Sequence, residues 1–397
     1  MSKFKTLEQI SLKNKRALVR VDFDLPLDEK GRIADDFRLR EGLETIRYLM
    51  KQEAKIILIS HLGRPNGKRI KKFSLEPVAE KLGKILKKKI RFSKDITGWS
   101  VKKQIEMMNF GDILLLENVR FNSGEEKNST KLAKELAGFG DVFINEAFAV
   151  SHREHASIIG IPKYMSTLHR TCSGAGPSAA GFVLEREINE LNKILFKPEK
   201  PFVAIIGGVK ILTKIKVINK FLRIADKVLI GGALANTIFA SQGFGMGDSI
   251  IEKEAFSEIK KINLKSPKLF LPIDLGVWDG KRFFYKEINE VGDGEKALDI
   301  GPKSIALFSD LARKARTIVW NGPLGLITQR PFDRASRAIV EAISKSKAYS
   351  VAGGGDTAAF IREIKKEEVF DHLSTGGGAM LDYLVNETLP GVEALEK

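Results

Sequence analysis

The stretch Tyr349-Ser-Val-Ala-Gly-Gly-Gly-Asp-Thr-Ala358 joins a short apolar run, typical of a buried strand, to sequence that favours a helix. Its three consecutive glycines let backbone N–H groups approach an anion closely, and the following helix start carries the positive end of the helix dipole. The carboxylate of Asp356 comes next, where it could hold Mg²⁺ beside phosphate groups. The stretch therefore predicts a strand, a glycine loop and a helix that together bind phosphate.

Apolar runs of strand length recur along the chain, with helical patterns between them. Continuous apolar strands with helical crossovers indicate parallel sheets covered on both faces. The runs form two series, which predicts an α/β fold with two doubly wound, Rossmann-like domains that bind ligands at the strand ends. The first series occupies residues 17–23, 55–60, 113–118 and 141–148, and the second occupies residues 201–208, 227–232, 268–274, 317–322 and 349–355.

A segment of small residues, 166–181, separates the two series and is typical of a loop. We therefore expect a first domain over residues 1–181, a connecting helix and hinge over 182–198, and a second domain over 199–380. The final residues, 381–397, have a helical pattern, and we expect them to pack back on the first domain.

The bulk composition indicates an ordinary soluble protein. Of its 397 residues, 43% are hydrophobic and 29% are charged. No apolar run approaches the ~20 residues that span a bilayer, and the first residues lack the apolar stretch of a secretory signal. The single cysteine, Cys172, cannot form an internal disulfide. We therefore expect a cytoplasmic protein that does not bind membranes.

The formal net charge of +16 could indicate nucleic acid, an acidic membrane surface or small polyanionic substrates as partners. The basic runs at residues 68–72 and 87–91 lack interleaved aromatic residues, and no RNA-binding or zinc-finger pattern accompanies them. This distribution favours a solvated basic face, and we do not expect nucleic acid as a partner.

A second candidate anion site is Ser60-His-Leu-Gly-Arg-Pro65, which also follows an apolar run. The planar fork of arginine suits phosphate and carboxylate, and a substrate that bears both groups would need several arginines. Two anion sites on one chain indicate transfer of a group between them. Besides His61 and Arg64, the same half of the chain has three arginines that follow or flank predicted strands, namely Arg38, Arg120 and Arg153.

Lys210 and Lys214 are four residues apart and follow Gly207 and Gly208. A helix that begins after Gly208 would place both ammonium groups on one face, where they would repel each other unless an anion lies between them. The glycines and the helix start favour a phosphate site over two independent surface lysines.

Three other patterns do not predict a site. Residues 63–68 lack the glycine spacing and the Ser or Thr of a P-loop, and His152 and His155 lack the spacing and the third ligand of a zinc site. Residues 243–247 do not match the dinucleotide fingerprint. The chain therefore gives no support to a dehydrogenase.

Ordered motifs along essentially the whole chain resemble those of the phosphoglycerate kinase family. In the first half these motifs are residues 19–26, 35–38, 60–65, 116–121, 147–148 and 152–157. In the second half they are residues 207–214, 298–302, 319–323, 353–357 and 374–378.

The resemblance implies reversible phosphoryl transfer between 1,3-bisphosphoglycerate and MgADP, which gives 3-phosphoglycerate and MgATP, as in glycolysis and gluconeogenesis. Because the transition state needs charge stabilisation and no protein nucleophile, we expect Arg38, Lys210 and Lys214 to be catalytic. By resemblance, the first domain binds the triose through Asp22, Asp24, Arg38, His61, Arg64, Arg120 and Arg153. The second domain binds the nucleotide through Gly208, Lys210, Lys214, Asn321, Thr328, Gly353, Gly354, Gly355, Asp356 and Thr357, with Asp356 on Mg²⁺.

One substrate on each domain implies that the domains close about the connecting helix to align the substrates and exclude water. We expect a monomer whose partners are these small molecules. The alternative is a degenerate, non-catalytic family member that binds phosphorylated metabolites or RNA through its basic surface. RNA binding that weakens steeply with salt, without nucleotide binding, would distinguish this alternative.

The chain departs from the family pattern at a few positions. The family usually has Asn where Asp24 stands, Glu where Thr328 stands and Asp where Glu146 stands. Residues 168–176 resemble an insertion near the hinge. The charged residues of both sites are present, and we expect an active enzyme.

Overall fold

The computed structural model describes residues 4–168 and 178–396. The chain divides into two compact units, one of Met1–Ile188 with Thr388–Lys397 and the other of Asn189–Glu387. Cys172 and nearly all of the segment expected to be an insertion, 168–176, lie outside the described residues.

In the described part of the first unit, seven strands form one parallel sheet of order β1-β7-β6-β2-β3-β5-β4. The strands are β1 (Lys5–Thr6), β2 (Arg16–Arg20), β3 (Lys55–Ile59), β4 (Arg91–Ser93), β5 (Ile113–Leu116), β6 (Val142–Asn145) and β7 (Ser178–Ala180). The helices are α1 (Phe37–Glu41), α2 (Leu43–Lys51), α3 (Glu76–Leu86), α4 (Trp99–Glu106), α5 (Thr130–Ala137), α6 (Ile161–Leu168) and α7 (Phe182–Phe196), the last of which continues into the second unit.

The described residues of the second unit form a six-stranded parallel sheet of order β10-β9-β8-β14-β15-β16 and a three-stranded antiparallel sheet of order β12-β11-β13. The strands are β8 (Phe202–Ile206), β9 (Lys227–Ile230), β10 (Leu269–Phe270), β11 (Asp274–Trp278), β12 (Phe283–Glu287), β13 (Lys296–Ile300), β14 (Thr317–Asn321), β15 (Tyr349–Gly353) and β16 (His372–Leu373). The helices are α8 (Ile215–Ile224), α9 (Ala233–Ser241), α10 (Phe256–Ile259), α11 (Pro302–Lys314), α12 (Arg334–Ser344), α13 (Gly355–Glu363) and α14 (Gly377–Asn386).

The predicted α/β class with two parallel sheets is confirmed. All residues of β5 and β8 are buried, as expected for parallel strands covered by helices on both faces. The antiparallel sheet is a finding that the apolar runs did not predict. The run 268–274 was expected as one strand, but it contains the short β10 and only the first residue of β11.

The strand order of each sheet indicates where a ligand can bind, namely at the carboxyl ends of the strands. The chain runs outward from β8 through β9 on one side, and from β14 through β15 on the other. Such a reversal of strand order opens a crevice at the carboxyl ends of the strands. In the first unit the same reversal lies between β2 and β6.

The last helix of the chain, α15 (Pro390–Glu393), packs within the first unit. The N–H of Gly391 donates to the carbonyl of Ser151 at 2.8 Å, and a Cβ on Gly391 would lie 2.8 Å from Ile158 Cγ2. The C-terminal segment is therefore tied to the residues that follow β6. Over the described ranges, no helix combines the length and the apolar character needed to cross a membrane.

Candidate active site

In the first unit, Arg38 lies against the two aspartates that follow β2. Its Nη1 is 3.3 Å from Asp22 Oδ2 and donates to the backbone carbonyl of Asp24 at 3.2 Å. Asp22 is buried, whereas 28% of the Arg38 side chain stays exposed. A guanidinium held on one side by a buried carboxylate and exposed on the other can bind an anionic ligand in a fixed orientation.

His61 and Gly63, in the loop after β3, both contact Asp24. The N–H of Gly63 donates to Asp24 Oδ1 at 2.8 Å, and His61 Nε2 lies 3.4 Å from Asp24 Oδ2. Burial would raise the pKa of Asp24, but the hydrogen bonds from His61 and Gly63 and the charge of Arg38 hold it well below its usual value. Burial lowers the pKa of His61, which favours its neutral form. Gly63 has a φ of 63°, a conformation that glycine adopts most easily.

Arg120, which follows β5, joins this cluster through the same loop. Its Nη1 donates to the carbonyl of Gly63 at 2.9 Å, and its Nε lies 3.5 Å from Glu126 Oε1. Burial lowers the pKa of Arg120, and the positive charge of Arg153 acts in the same direction. Arg120 therefore contacts Gly63, and Arg153 lies within electrostatic range of Arg120.

Two of the expected arginines have no carboxylate partner within residues 4–168 and 178–396. Arg64 and Arg153 are exposed, and neither forms an ion pair with any described residue. Exposed arginines without a carboxylate partner can turn toward a ligand at little cost, because no salt bridge has to break.

A buried network beneath the cluster was not predicted. Arg20, the last residue of β2, is fully buried and donates through Nε to Ser157 Oγ at 2.8 Å. Ser157 Oγ in turn donates to the buried Glu125 at 2.5 Å. Arg20 Nη2 lies 3.2 Å from His61 Nδ1. The sequence did contain one indication of this network, because Arg20 lies within an apolar strand run and a buried charge needs polar partners.

In the second unit, the ammonium group of Lys214 lies at the ends of β8 and β14. This lysine is buried, its Nζ donates to the carbonyl of Gly207, and the carbonyl of Asn321 lies 3.5 Å from Nζ. Burial lowers the pKa of Lys214 to about 8, and the negative charge of Asp356 offsets part of this effect. The backbones of the two strand ends meet here so closely that a Cβ on Gly207 would lie 2.1 Å from the carbonyl oxygen of Pro323.

The predicted helix after Gly208 is wrong, since α8 begins only at Ile215. The backbone N–H groups of Ile211 and Leu212 donate to the carboxylate of Glu252 at 2.7 and 3.3 Å, which holds this segment as a loop. Consequently Lys210 is exposed, Lys214 is buried, and the two do not share a helix face.

The glycine stretch forms the expected strand, loop and helix. β15 ends at Gly353, Gly354 has a φ of 110°, and α13 begins at Gly355 with the exposed Asp356 in its first turn. Thr357 is buried, and its Oγ1 accepts a hydrogen bond from the N–H of Gly322 at 2.9 Å. Thr357 therefore links the loop to the end of β14.

Asn321 points an unpartnered donor at this loop. Its side chain is buried, and Nδ2 has no hydrogen-bond partner among the described residues. A Cβ on Gly354 would lie 3.4 Å from that nitrogen. A buried N–H group without a partner carries a desolvation cost that a ligand oxygen would relieve.

The described residues contain no group of three side chains that could hold a metal ion. Asp356 is a single carboxylate at the start of α13, which fits Mg²⁺ because that ion is usually bound by one or two carboxylates, phosphate oxygens and water. Thr328 lies in an exposed turn. Among the described residues, its side chain forms no hydrogen bond with Lys214 or with the glycine loop.

Comparison with known proteins gives one consistent result. The family model described as phosphoglycerate kinase matches residues 7–387. Phosphoglycerate kinase of Chloroflexus aggregans is 41% identical over 405 residues, covering 99% of this chain and 98% of its own length. That of Koribacter versatilis is 42% identical over 412 residues, covering 100% and 99%.

Solved structures agree with these relatives. The phosphoglycerate kinase of Coxiella burnetii matches with a TM-score of 0.83 and 36% identity, covering 99% of this chain and 98% of that one. The enzyme of Pyrococcus horikoshii matches with a TM-score of 0.84 and 29% identity, covering 98% of each chain.

Proposed function

The chain belongs to the phosphoglycerate kinase family, and from this premise we propose which of its residues hold each substrate. The reaction is reversible phosphoryl transfer between 1,3-bisphosphoglycerate and MgADP, giving 3-phosphoglycerate and MgATP in glycolysis. Nothing in the comparisons favours a degenerate, non-catalytic member.

The first unit binds the triose in this proposal. Arg38 and Arg120 are held by Asp22 and Gly63, while Arg64 and Arg153 are exposed. Together they offer the phosphate and carboxylate of 3-phosphoglycerate several guanidinium forks. We also assign to 3-phosphoglycerate the side chains of Asp22, Asp24 and His61.

The second unit binds the nucleotide. The single observation that carries this assignment is the buried, unpartnered Nδ2 of Asn321 beside the glycine loop. The loop and the start of α13 present backbone N–H groups, which favour phosphate. The residues assigned here are Gly353, Gly354, Gly355 and Thr357. We also assign to this site Gly208, Lys210, Lys214 and Thr328.

Asp356 is the residue that we propose to hold Mg²⁺ together with the nucleotide phosphates. When bound, Mg²⁺ neutralises charge that develops on the phosphate oxygens. The chain itself supplies three cations: Arg38 lies against the residues that follow β2, Lys214 lies at the ends of β8 and β14, and Lys210 is exposed.

Charge stabilisation and alignment of the substrates are sufficient for this reaction, because the transition state spreads charge over the transferred phosphate oxygens. Closure of the two domains about the connecting helix stays a prediction, as do a monomeric state and a cytoplasmic location. Light scattering with size-exclusion chromatography tests the monomer, and a dimer mass would contradict it.

The direct test of the function is a coupled assay of 3-phosphoglycerate phosphorylation with MgATP and, separately, with MgGTP. We expect turnover with MgATP that requires both Mg²⁺ and 3-phosphoglycerate. Binding of both ligands without turnover would support the degenerate alternative.

A further inference from the structure

The contact between Arg20 and His61 determines where His61 can carry a proton. Arg20 Nη2 lies 3.2 Å from His61 Nδ1, and both side chains are buried. A guanidinium has only N–H donors and keeps its charge in proteins, so it cannot accept a hydrogen bond. His61 Nδ1 must therefore be the acceptor, and the ring proton must be on Nε2.

We infer that Arg20 is a positioning residue that keeps His61 neutral with its proton on Nε2, so that the one N–H of the ring faces Asp24 and can be shared with, or transferred to, an anionic group of the triose. This inference rests on the proposed function for the triose, but its first part concerns the protein alone. A doubly protonated ring would point Nδ1–H at the N–H groups of Arg20, an arrangement without any acceptor.

Arg20 cannot easily turn away from His61, because its other nitrogen atoms are also engaged. Nε donates to Ser157 Oγ at 2.8 Å, and Nη1 donates to the carbonyl of Val21 at 2.6 Å. The negative charge of the buried Glu125 partly compensates the guanidinium. The orientation of the donor toward His61 is thus fixed by contacts on three sides.

The charges around His61 act in the same direction. Burial lowers the pKa of His61, the hydrogen bond with Asp24 opposes this effect, and the positive charges of Arg20 and Arg120 lower it further. His155 also lies within electrostatic range of His61. The cationic neighbours, on β2 and after β5, therefore support the neutral ring.

Asp24 makes the requirement stricter in this chain than in the family pattern. An asparagine at this position could either donate to or accept from a histidine, because its amide has both groups. The ionised Asp24 only accepts, and its Oδ2 faces His61 Nε2 at 3.4 Å. With Arg20 on one side and Asp24 on the other, only the Nε2–H form satisfies both neighbours.

The test is ¹⁵N NMR of the complete protein labelled at histidine, with His61→Gln used to assign the His61 signals among the five histidines. We expect His61 Nδ1 to be unprotonated and Nε2 to be protonated throughout the range from about pH 6 to about pH 8. A proton on Nδ1, or a doubly protonated ring, near neutral pH would overturn the inference. This readout needs no substrate and no variant of Arg20.

A variant series connects the tautomer to binding. In Arg20→Met, Asp24 still favours a proton on Nε2, so we expect the ring to take up a second proton, on Nδ1, at a higher pH than in the wild type. The KM for 3-phosphoglycerate should rise about tenfold, with kcat changed less than about threefold. Arg20→Lys, which retains a donor, should restore the neutral Nε2–H form. Arg16→Met is the matched control on the same strand, since Arg16 pairs with Asp141 and makes no contact with His61.

The outcomes separate this inference from the proposed function. If His61 has the expected tautomer but its signals do not respond to 3-phosphoglycerate, the triose assignment fails and the tautomer inference stands. If Arg20→Met and Arg16→Met leave the His61 signals equally unchanged, Arg20 does not position His61.

Discussion

Gly377, the first residue of α14, packs so closely on Gly354 that a Cβ on Gly377 would lie 2.4 Å from Gly354 Cα. The nearest atoms are backbone, which cannot move away as a flexible side chain would. The close packing of these two glycines thus holds the backbone of the proposed phosphate loop against the start of α14.

We predict that Gly377→Ala displaces this loop and weakens nucleotide binding. The KM for MgATP should rise by roughly five- to tenfold, and the free energy of unfolding should fall by about 1–3 kcal/mol. Gly245→Ala in the same unit is the control, because its Cβ would lie 3.6 Å from the nearest atom, an ordinary contact. Steady-state kinetics that show an unchanged KM for MgATP would contradict a role of this packing in the site.

The buried ammonium of Lys214 predicts a pH dependence of nucleotide binding. Burial lowers the pKa of Lys214 to about 8, so the nucleotide-free protein loses this positive charge as the pH rises through that value. The affinity for ADP, measured by calorimetry, should fall between about pH 8 and about pH 9.5 by up to about tenfold per pH unit. Lys214→Met should bind ADP weakly without this slope, whereas the exposed Lys216→Met should behave as the wild type. The same slope in Lys214→Met would assign the titration to another group.

The arginine that contacts Asp22 is the predicted catalytic cation of the first unit. Arg38→Ala should lower kcat by at least ~10²-fold, as loss of one donor to the transition state commonly does. Arg40→Ala removes an arginine of the same helix whose ion pair with Asp36 is exposed, and we expect kcat within about twofold of the wild type. Near-normal turnover by Arg38→Ala would refute the assignment.

The buried carboxyl of Glu146 predicts a loss of stability at alkaline pH. Burial raises its pKa from 4.5 to about 8, although hydrogen bonds from Thr45 and the N–H of Val183 oppose the shift. Because the folded state favours the neutral acid, this contribution to stability is fully present below pH 4.5 and is lost as the pH rises through about 8.

Glu146→Gln stays neutral and should not lose this contribution. Urea unfolding should show that the variant gains stability over the wild type from about pH 5 to about pH 9, by on the order of 3 kcal/mol. The exposed Glu154→Gln serves as the control. A difference between Glu146→Gln and the wild type that does not change with pH would show that Glu146 is ionised in the folded protein.

The parallel strands were predictable because burial on both faces leaves a local signature. The runs 113–118 and 317–322 contain β5 and β14 in full. The glycine stretch predicted its own loop, since positive φ at Gly354 is a local property.

Other features depend on contacts between distant residues, which the sequence alone does not show. The loop that displaces the start of α8 is held by Glu252, about 40 residues after Ile211. Arg20 donates to Ser157, which is 137 positions away in the sequence. A charged residue in an apolar strand indicates that a buried network exists, but it does not identify the partners. The order of the antiparallel sheet is likewise set by pairing between strands.

If each unit binds one substrate with its own cations, Lys214→Met and Arg38→Ala should weaken the binding of different ligands, which calorimetry with ADP and with 3-phosphoglycerate measures. We expect Lys214→Met to weaken ADP binding at least about tenfold and to change 3-phosphoglycerate binding less than about twofold. Arg38→Ala should weaken 3-phosphoglycerate binding and leave ADP binding nearly unchanged. Equal loss of both ligands in either variant, or loss of neither, would contradict this assignment of one substrate to each unit.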